Sequence, residues 1–163
     1  MDSDNTPLLA ILRPLLILHE GWRTKVYPDS KGIKTAAVGF NLQQSGARAI
    51  CEKAGVDYDG LLAGTVELTP EQIDWILNYF IIATMEWLSD LFPGFKSFSV
   101  NRQAALIDMG FNLGEATFKQ FHGMIGAIDQ GYWGTAATHA LDSLWAKQVG
   151  RRAHDDAELF ING

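Results

Sequence analysis

Residues 20–42, EGWRTKVYPDSKGIKTAAVGFNL, are where the chain changes from helical to β-type texture. Lys25-Val26-Tyr27, Ile33-Lys34-Thr35 and Val38-Gly39-Phe40 are short runs of strand-forming character. Between the first two stands Pro28-Asp29-Ser30-Lys31-Gly32, whose proline, aspartate, serine and glycine favour tight turns. The stretch predicts a small hairpin sheet.

Upstream, Pro7 to His19 reads as a helix with Leu12, Leu15, Leu16 and Leu18 on a buried face. Pro14 either kinks it or starts its second part, and Gly21 is a natural stop after Glu20. Downstream, Thr69-Pro70-Glu71-Gln72 is the best helix start in the chain. Thr69 suits the N-cap, Pro70 the first helical position, and Gln72 completes a capping box. Ile73, Ile76, Leu77, Phe80 and Ile81 follow at helical spacing, and Pro93-Gly94 ends the run. Shorter helices are expected over about 101–112, 118–129, 133–144 and 151–160. The order is helix, small sheet, long helix, helical bundle, an α+β fold that is mainly helical.

With 163 residues, 47% of them hydrophobic, the chain has enough apolar material for one domain of ordinary size. A formal charge of −6 disfavours a nucleic-acid binder, which usually shows a basic face. Attraction to an anionic polymer must then be local, and Lys147, Arg151 and Arg152 form the compact basic group. Cys51 stands alone, so no intrachain disulfide forms, and it reads as a small buried hydrophobe. The apolar run from Leu8 to Leu18 contains Arg13 and Pro14 and follows acidic residues. It lacks the positive start of a secretory signal and the roughly 20 apolar residues of a membrane span. The expectation is accumulation in the cytoplasm, with no signal peptide and no stable membrane insertion.

Glu20 and Asp29 are the pair with chemical interest. Glu20 falls at a helix end beside Leu16, Ile17 and Trp22, a setting that favours the protonated carboxyl a general acid needs. Asp29 lies in a polar turn, where a carboxylate stays ionised. Thr35, six residues beyond, places a hydroxyl to hold water between them. Contrasting carboxyls of this kind serve glycosidic cleavage. By spacing alone the pair also describes a solvated helix end and a turn-forming aspartate.

The surrounding residues decide between these readings. Glu20-Gly21, Arg23, Lys25, Tyr27, Asp29, Gly32, Thr35 and Gly39 resemble the active-site signature of glycoside hydrolase family 24, the phage-type lysozymes or endolysins. Two further stretches are similar to that family, Ala105 to Glu115 and the set Trp145, Gln148, Arg152 and Ala153. The resemblance spans Leu15 to about Phe160. It implies a lysozyme-like fold and one lysozyme domain over 1–163, with a sheet lobe at about 20–66. A connecting helix at about 69–90 would lead to a helical lobe of 1–19 and 91–163.

The resemblance also implies a mechanism. Glu20 protonates the leaving glycosidic oxygen beside N-acetylmuramic acid, while Asp29 and Thr35 orient water on the opposite ring face and invert the anomeric centre. Such inversion sets the carboxyls roughly 6.5–9.5 Å apart. No metal and no cofactor is implied. Asn41, Phe111, Asn112 and His139 are the candidate substrate-binding residues. The family usually has glycine where Ala37 stands and histidine where Phe40 stands, and Phe40 is expected to affect stability and cleft shape. His139 replaces another polar side chain, and Leu144 replaces a basic one.

The implied partner is bacterial peptidoglycan, reached by a monomeric endolysin that passes from the host cytoplasm to the periplasm through a holin-formed lesion. The competing readings are a virion-associated lysozyme used for entry, a lytic transglycosylase, and a lysozyme-like fold kept for wall binding. His19 and His122 carry no partner pattern, and Trp75 and Trp87 on the long helix read as packing.

Overall fold

Leu8, Leu12 and Leu16 recur every four residues and are all fully buried, which puts one face of helix α1 (Thr6–Glu20) in the interior. The computed structural model describes residues 6–163. Pro14 lies inside α1 on its exposed side, where it removes one backbone donor without ending the helix. The helix stops at Gly21, which adopts φ +81° and donates its N–H to the Ile17 carbonyl at 2.9 Å.

Three strands follow, β1 (Arg23–Pro28), β2 (Lys34–Ala37) and β3 (Phe40–Asn41), antiparallel and in that order across the sheet. Tyr27 pairs with Thr35, and Thr35 with Asn41; an irregularity between Arg23 and Tyr27 bends β1. Val38-Gly39 is not a strand, as its composition suggested, but the tight turn joining β2 to β3. Two helices that periodicity did not reveal come next, α2 (Ala47–Lys53) and α3 (Tyr58–Ala63). Asp57 caps α3 by accepting the Gly60 N–H at 3.1 Å.

The long helix α4 (Pro70–Leu91) begins at the expected capping box. Gln72 N–H donates to Thr69 Oγ1 at 3.2 Å, and Thr69 N–H to Gln72 Oε1 at 2.9 Å. A 3-10 turn (Phe95–Ser97) precedes α5 (Val100–Leu113) and α6 (Glu115–Phe118). The rest is α7 (His122–Asp129), α8 (Trp133–Leu141), α9 (Leu144–Val149) and α10 (Arg151–Asn162). The expected single helix over 118–129 is broken at Lys119-Gln120-Phe121, and that over 133–144 ends at Leu141, where Ser143 caps a new helix.

The chain divides into two compact units. The sheet-bearing unit is Leu16–Phe80; the helical unit holds the described residues up to Leu15 together with Ile81–Gly163. In the first, Ala36, Val38, Phe40, Leu42, Leu61, Ile73 and Leu77 are buried, and Phe40 sets its ring 5.5 Å from that of Phe80. In the second, α10 packs on α8 and α5, and α7 on α8. Trp133 joins these helices, with Phe98 edge-on at 4.9 Å, Phe160 at 5.8 Å and the Arg102 guanidinium 4.5 Å over its ring.

Candidate active site

Glu20 is the last residue of α1, half-buried, in the sheet-bearing unit. Its carboxyl lies against the β2–β3 turn. A β-carbon on Gly39 would stand 2.7 Å from Glu20 Oε2 and 3.0 Å from its Cδ. Gly39 also holds φ +68°, a left-handed backbone that L side chains rarely adopt. Conformation favours glycine at this position, and an added methyl would force the Glu20 side chain to move aside.

Asp29 heads the β1–β2 turn. Its Oδ1 accepts the N–H groups of Lys31 and Ile33, both at 2.8 Å, while its own N–H and carbonyl bond Ile33 and Gly32 at 2.9 Å. Four backbone contacts clamp the residue, so the carboxylate has one orientation. Thr35, only 4% exposed, donates its hydroxyl to the Ile33 carbonyl at 3.1 Å. Ile33 thus links Asp29 to Thr35 through its N–H on one side and its carbonyl on the other. Asn41, opposite Thr35 on β3, accepts the Gln43 N–H on its side-chain carbonyl at 2.7 Å. Four of the seven candidate residues are therefore gathered in one unit.

Ala37 shows why the neighbourhood is glycine-rich. It is fully buried and holds φ +53°, the one described non-glycine residue with positive φ. Such a conformation costs an L-residue about 1–2 kcal/mol. The backbone keeps the shape that suits glycine even where alanine has replaced it.

Phe111, Asn112 and His139 lie in the helical unit. Asn112 is exposed on α5, and its Oδ1 accepts the Trp145 indole N–H at 2.8 Å. His139 is exposed on α8 with its ring against α7, where a β-carbon on Gly123 would meet the imidazole at 2.9 Å. Leu144 is 70% exposed. Arg152 departs from its expected place in a basic surface group. It is 5% exposed and gripped by Asp108, with Nε on Oδ2 at 2.8 Å and Nη2 on Oδ1 at 3.1 Å and on the backbone carbonyl at 2.9 Å. Burial pushes the Cys51 thiol up to about 11, consistent with an inert core residue. Among the described residues, no helix is long and apolar enough to cross a membrane.

A model of the family described as phage lysozyme matches residues 18–155. The chain belongs to the phage lysozyme family. Membership points to glycoside hydrolysis of peptidoglycan as the coarse activity of this lysozyme-family chain. It is 24% identical, over 171 aligned positions, to the pre-baseplate central spike protein Gp5 of Enterobacteria phage T4. That alignment takes in 99% of this chain but 29% of the spike protein, so the chain spans less than a third of that relative. It is also 22% identical to the probable T4-type lysozyme 2 of Dictyostelium discoideum, with 96% of both chains covered.

Two residues of this lysozyme-family chain stand out only in the structure. Tyr27, quoted in the signature without a role, is half-buried with the Arg23 guanidinium 5.5 Å over its ring. The cross-strand register that places it opposite Thr35 could not be read before the turn lengths were known. Trp75, expected to pack, is 38% exposed and stacked on Tyr79 at 5.7 Å, whereas Trp87 packs as expected on Phe118 and Gly110.

Proposed function

We propose that the chain is an N-acetylmuramidase, cleaving the β-1,4 bond between N-acetylmuramic acid and N-acetylglucosamine with inversion. Glu20 gives its proton to the leaving oxygen. Asp29 and Thr35 orient water for attack on the anomeric carbon, and no cofactor takes part. The observation that carries this reading is the placement of both carboxyls and the Thr35 hydroxyl in one unit: Glu20 and Asp29 are each half-buried, Glu20 against Gly39 and Asp29 fixed by two backbone amides, with Thr35 bonded to the same Ile33 that binds Asp29. Asn41, Phe111, Asn112 and His139 are proposed to contact the glycan.

Two biological settings fit this chemistry. In the first, a monomeric endolysin is made in the host cytoplasm and reaches the wall through a holin lesion. In the second, the domain opens the wall during entry, as similarity to a phage spike protein suggests. Finding the chain in purified virions would favour the second.

The chemistry is tested by digesting purified peptidoglycan and weighing the products by mass spectrometry. Reducing N-acetylmuramic acid ends are expected. Anhydro ends would establish transglycosylase chemistry, and reducing glucosamine ends or free peptides would sink the reading altogether. Glu20→Gln is expected to lose at least about a hundredfold in rate while its circular dichroism and melting stay close to wild type.

A further inference from the structure

We propose that Trp75 and Tyr79 on α4 form a flat aromatic subsite for the glycan strand, taking the apolar face of an N-acetylhexosamine ring. The inference rests on the hydrolytic reading above for its substrate class. It adds contacts beyond the seven candidate residues, none of which lies on α4.

The geometry of the rings carries it. Residues four apart on a helix stand on the same side, one turn above the other. Trp75 and Tyr79 are 38% and 36% exposed, and their rings lie within 15° of parallel with centroids 5.7 Å apart. The Tyr79 ring is also held in place. Phe80 meets it edge-on at 5.4 Å, and Phe80 in turn lies 5.5 Å from Phe40, which is fully buried. All four residues belong to the sheet-bearing unit. Two large rings left outside the core, yet anchored to it in one plane, offer a preformed surface for contact.

The chemistry of the helix face selects the ligand. Glu71, Trp75, Tyr79, Ile82 and Glu86 are all exposed and recur at helical spacing along one side of α4. The helix contains no lysine or arginine, so it offers no cation to a phosphate or a nucleic acid. With an acid at each end, a second copy laid along this face in either direction sets carboxylate against carboxylate. A β-linked hexosamine suits every part of it. Its chair carries axial C–H groups, which meet the negative face of an aromatic ring. Its hydroxyls and acetamido group can pair with the indole N–H, the phenol O–H and the carboxylates. Trp and Tyr side chains have few rotatable bonds, so little freedom is lost on binding.

Binding is read with Glu20→Gln protein, which leaves the polymer uncut. The probes are purified peptidoglycan, by co-sedimentation, and a soluble β-1,4-linked tetramer of N-acetylglucosamine, by titration. Trp75→Leu and Tyr79→Leu keep apolar bulk but remove the ring. Each is expected to weaken binding about tenfold, with melting close to that of the parent. Ile82→Ser, one turn on and without a π face to lose, is expected to bind like the parent. In the active chain, the two ring variants should raise KM on peptidoglycan by a similar factor and leave kcat within about twofold. Unchanged binding in both ring variants overturns the proposal. An equal loss in Ile82→Ser overturns it too, by marking a general apolar contact. So does a wild-type dimer in sedimentation velocity that the ring variants dissolve, which would make the face an interface between copies. If Trp75→Leu fails to fold, Trp75→Gln is read by the same criteria. A wild-type chain that releases no saccharide, while Glu20→Gln protein binds through the rings, overturns the hydrolytic reading and leaves the subsite standing. An active wild type whose ring variants bind unchanged overturns this inference alone.

Discussion

Single atoms decide the setting of Glu20. The residue opposite its carboxyl has neither side chain nor room for one, since a methyl at position 39 would sit 2.7 Å from Glu20 Oε2. Gly39→Ala is therefore expected to push the carboxyl aside and reduce peptidoglycan hydrolysis by more than tenfold. The left-handed backbone at that position adds about 1–2 kcal/mol of destabilisation. Activity near wild type, with only the stability loss, would show that the contact does not matter to the reaction. Phe40, beside it, is 1% exposed and packs on Phe80, so the aromatic residue in a position the family usually gives to histidine serves the core. Glu20, Asp29 and Thr35 could be proposed from sequence because the signature they resemble is a pattern of residue types along the chain. The approach of Gly39 to Glu20 could not, because it joins the end of a helix to a turn nineteen residues away.

At the level of elements, legibility followed the strength of local signals. The start of α4 was readable because Thr69 and Gln72 satisfy each other's backbone donors reciprocally. Thr69→Ala is expected to cost about 1 kcal/mol, lowering the melting temperature by roughly 2–4 °C in a chain of this size with activity unchanged. An unchanged melting temperature would mean that tertiary packing alone holds that helix end. The short helices were harder. α2 is seven residues long, follows Gly46 and has no side-chain cap, so nothing local announces it. α3 is capped by Asp57, a local signal, but at six residues it is too short for periodicity to mark it. The break between α6 and α7 answers to packing. Phe118 seats its ring 5.1 Å from Trp87, and Phe121 sets its own 6.3 Å from Trp145. One continuous helix would turn residues three apart toward the same neighbours.

Across the whole molecule, the most unusual energetic feature is a buried charge cluster in the helical unit. Asp108 and Asp156 are both fully buried beside Arg152, which bonds Asp108. Burial first, then the proximity of Asp108, pushes the Asp156 carboxyl well above its ordinary value, with Arg152 opposing and Asp155 adding to the rise. The folded state thus keeps a proton that the unfolded chain releases near pH 4. The associated stability is fully present below that pH and is lost as pH rises toward the folded value. Melting followed from pH 4 to 8 should show wild-type stability falling with pH relative to Asp156→Asn, whose side chain cannot ionise. Parallel curves for the two would remove Asp156 from the account. The sequence by itself determined the succession of helix, sheet, long helix and bundle, with Glu20 at a helix end and Asp29 in a turn. Those features follow from periodicity, caps and turn residues, which act over a few positions. Only the tertiary structure decided that Glu20 rests on Gly39, that Ala37 holds a left-handed backbone, that Tyr27 faces Thr35, and that Arg152 is buried on Asp108. Those depend on which distant segments exclude water together, and desolvation is set by neighbours in space rather than along the chain.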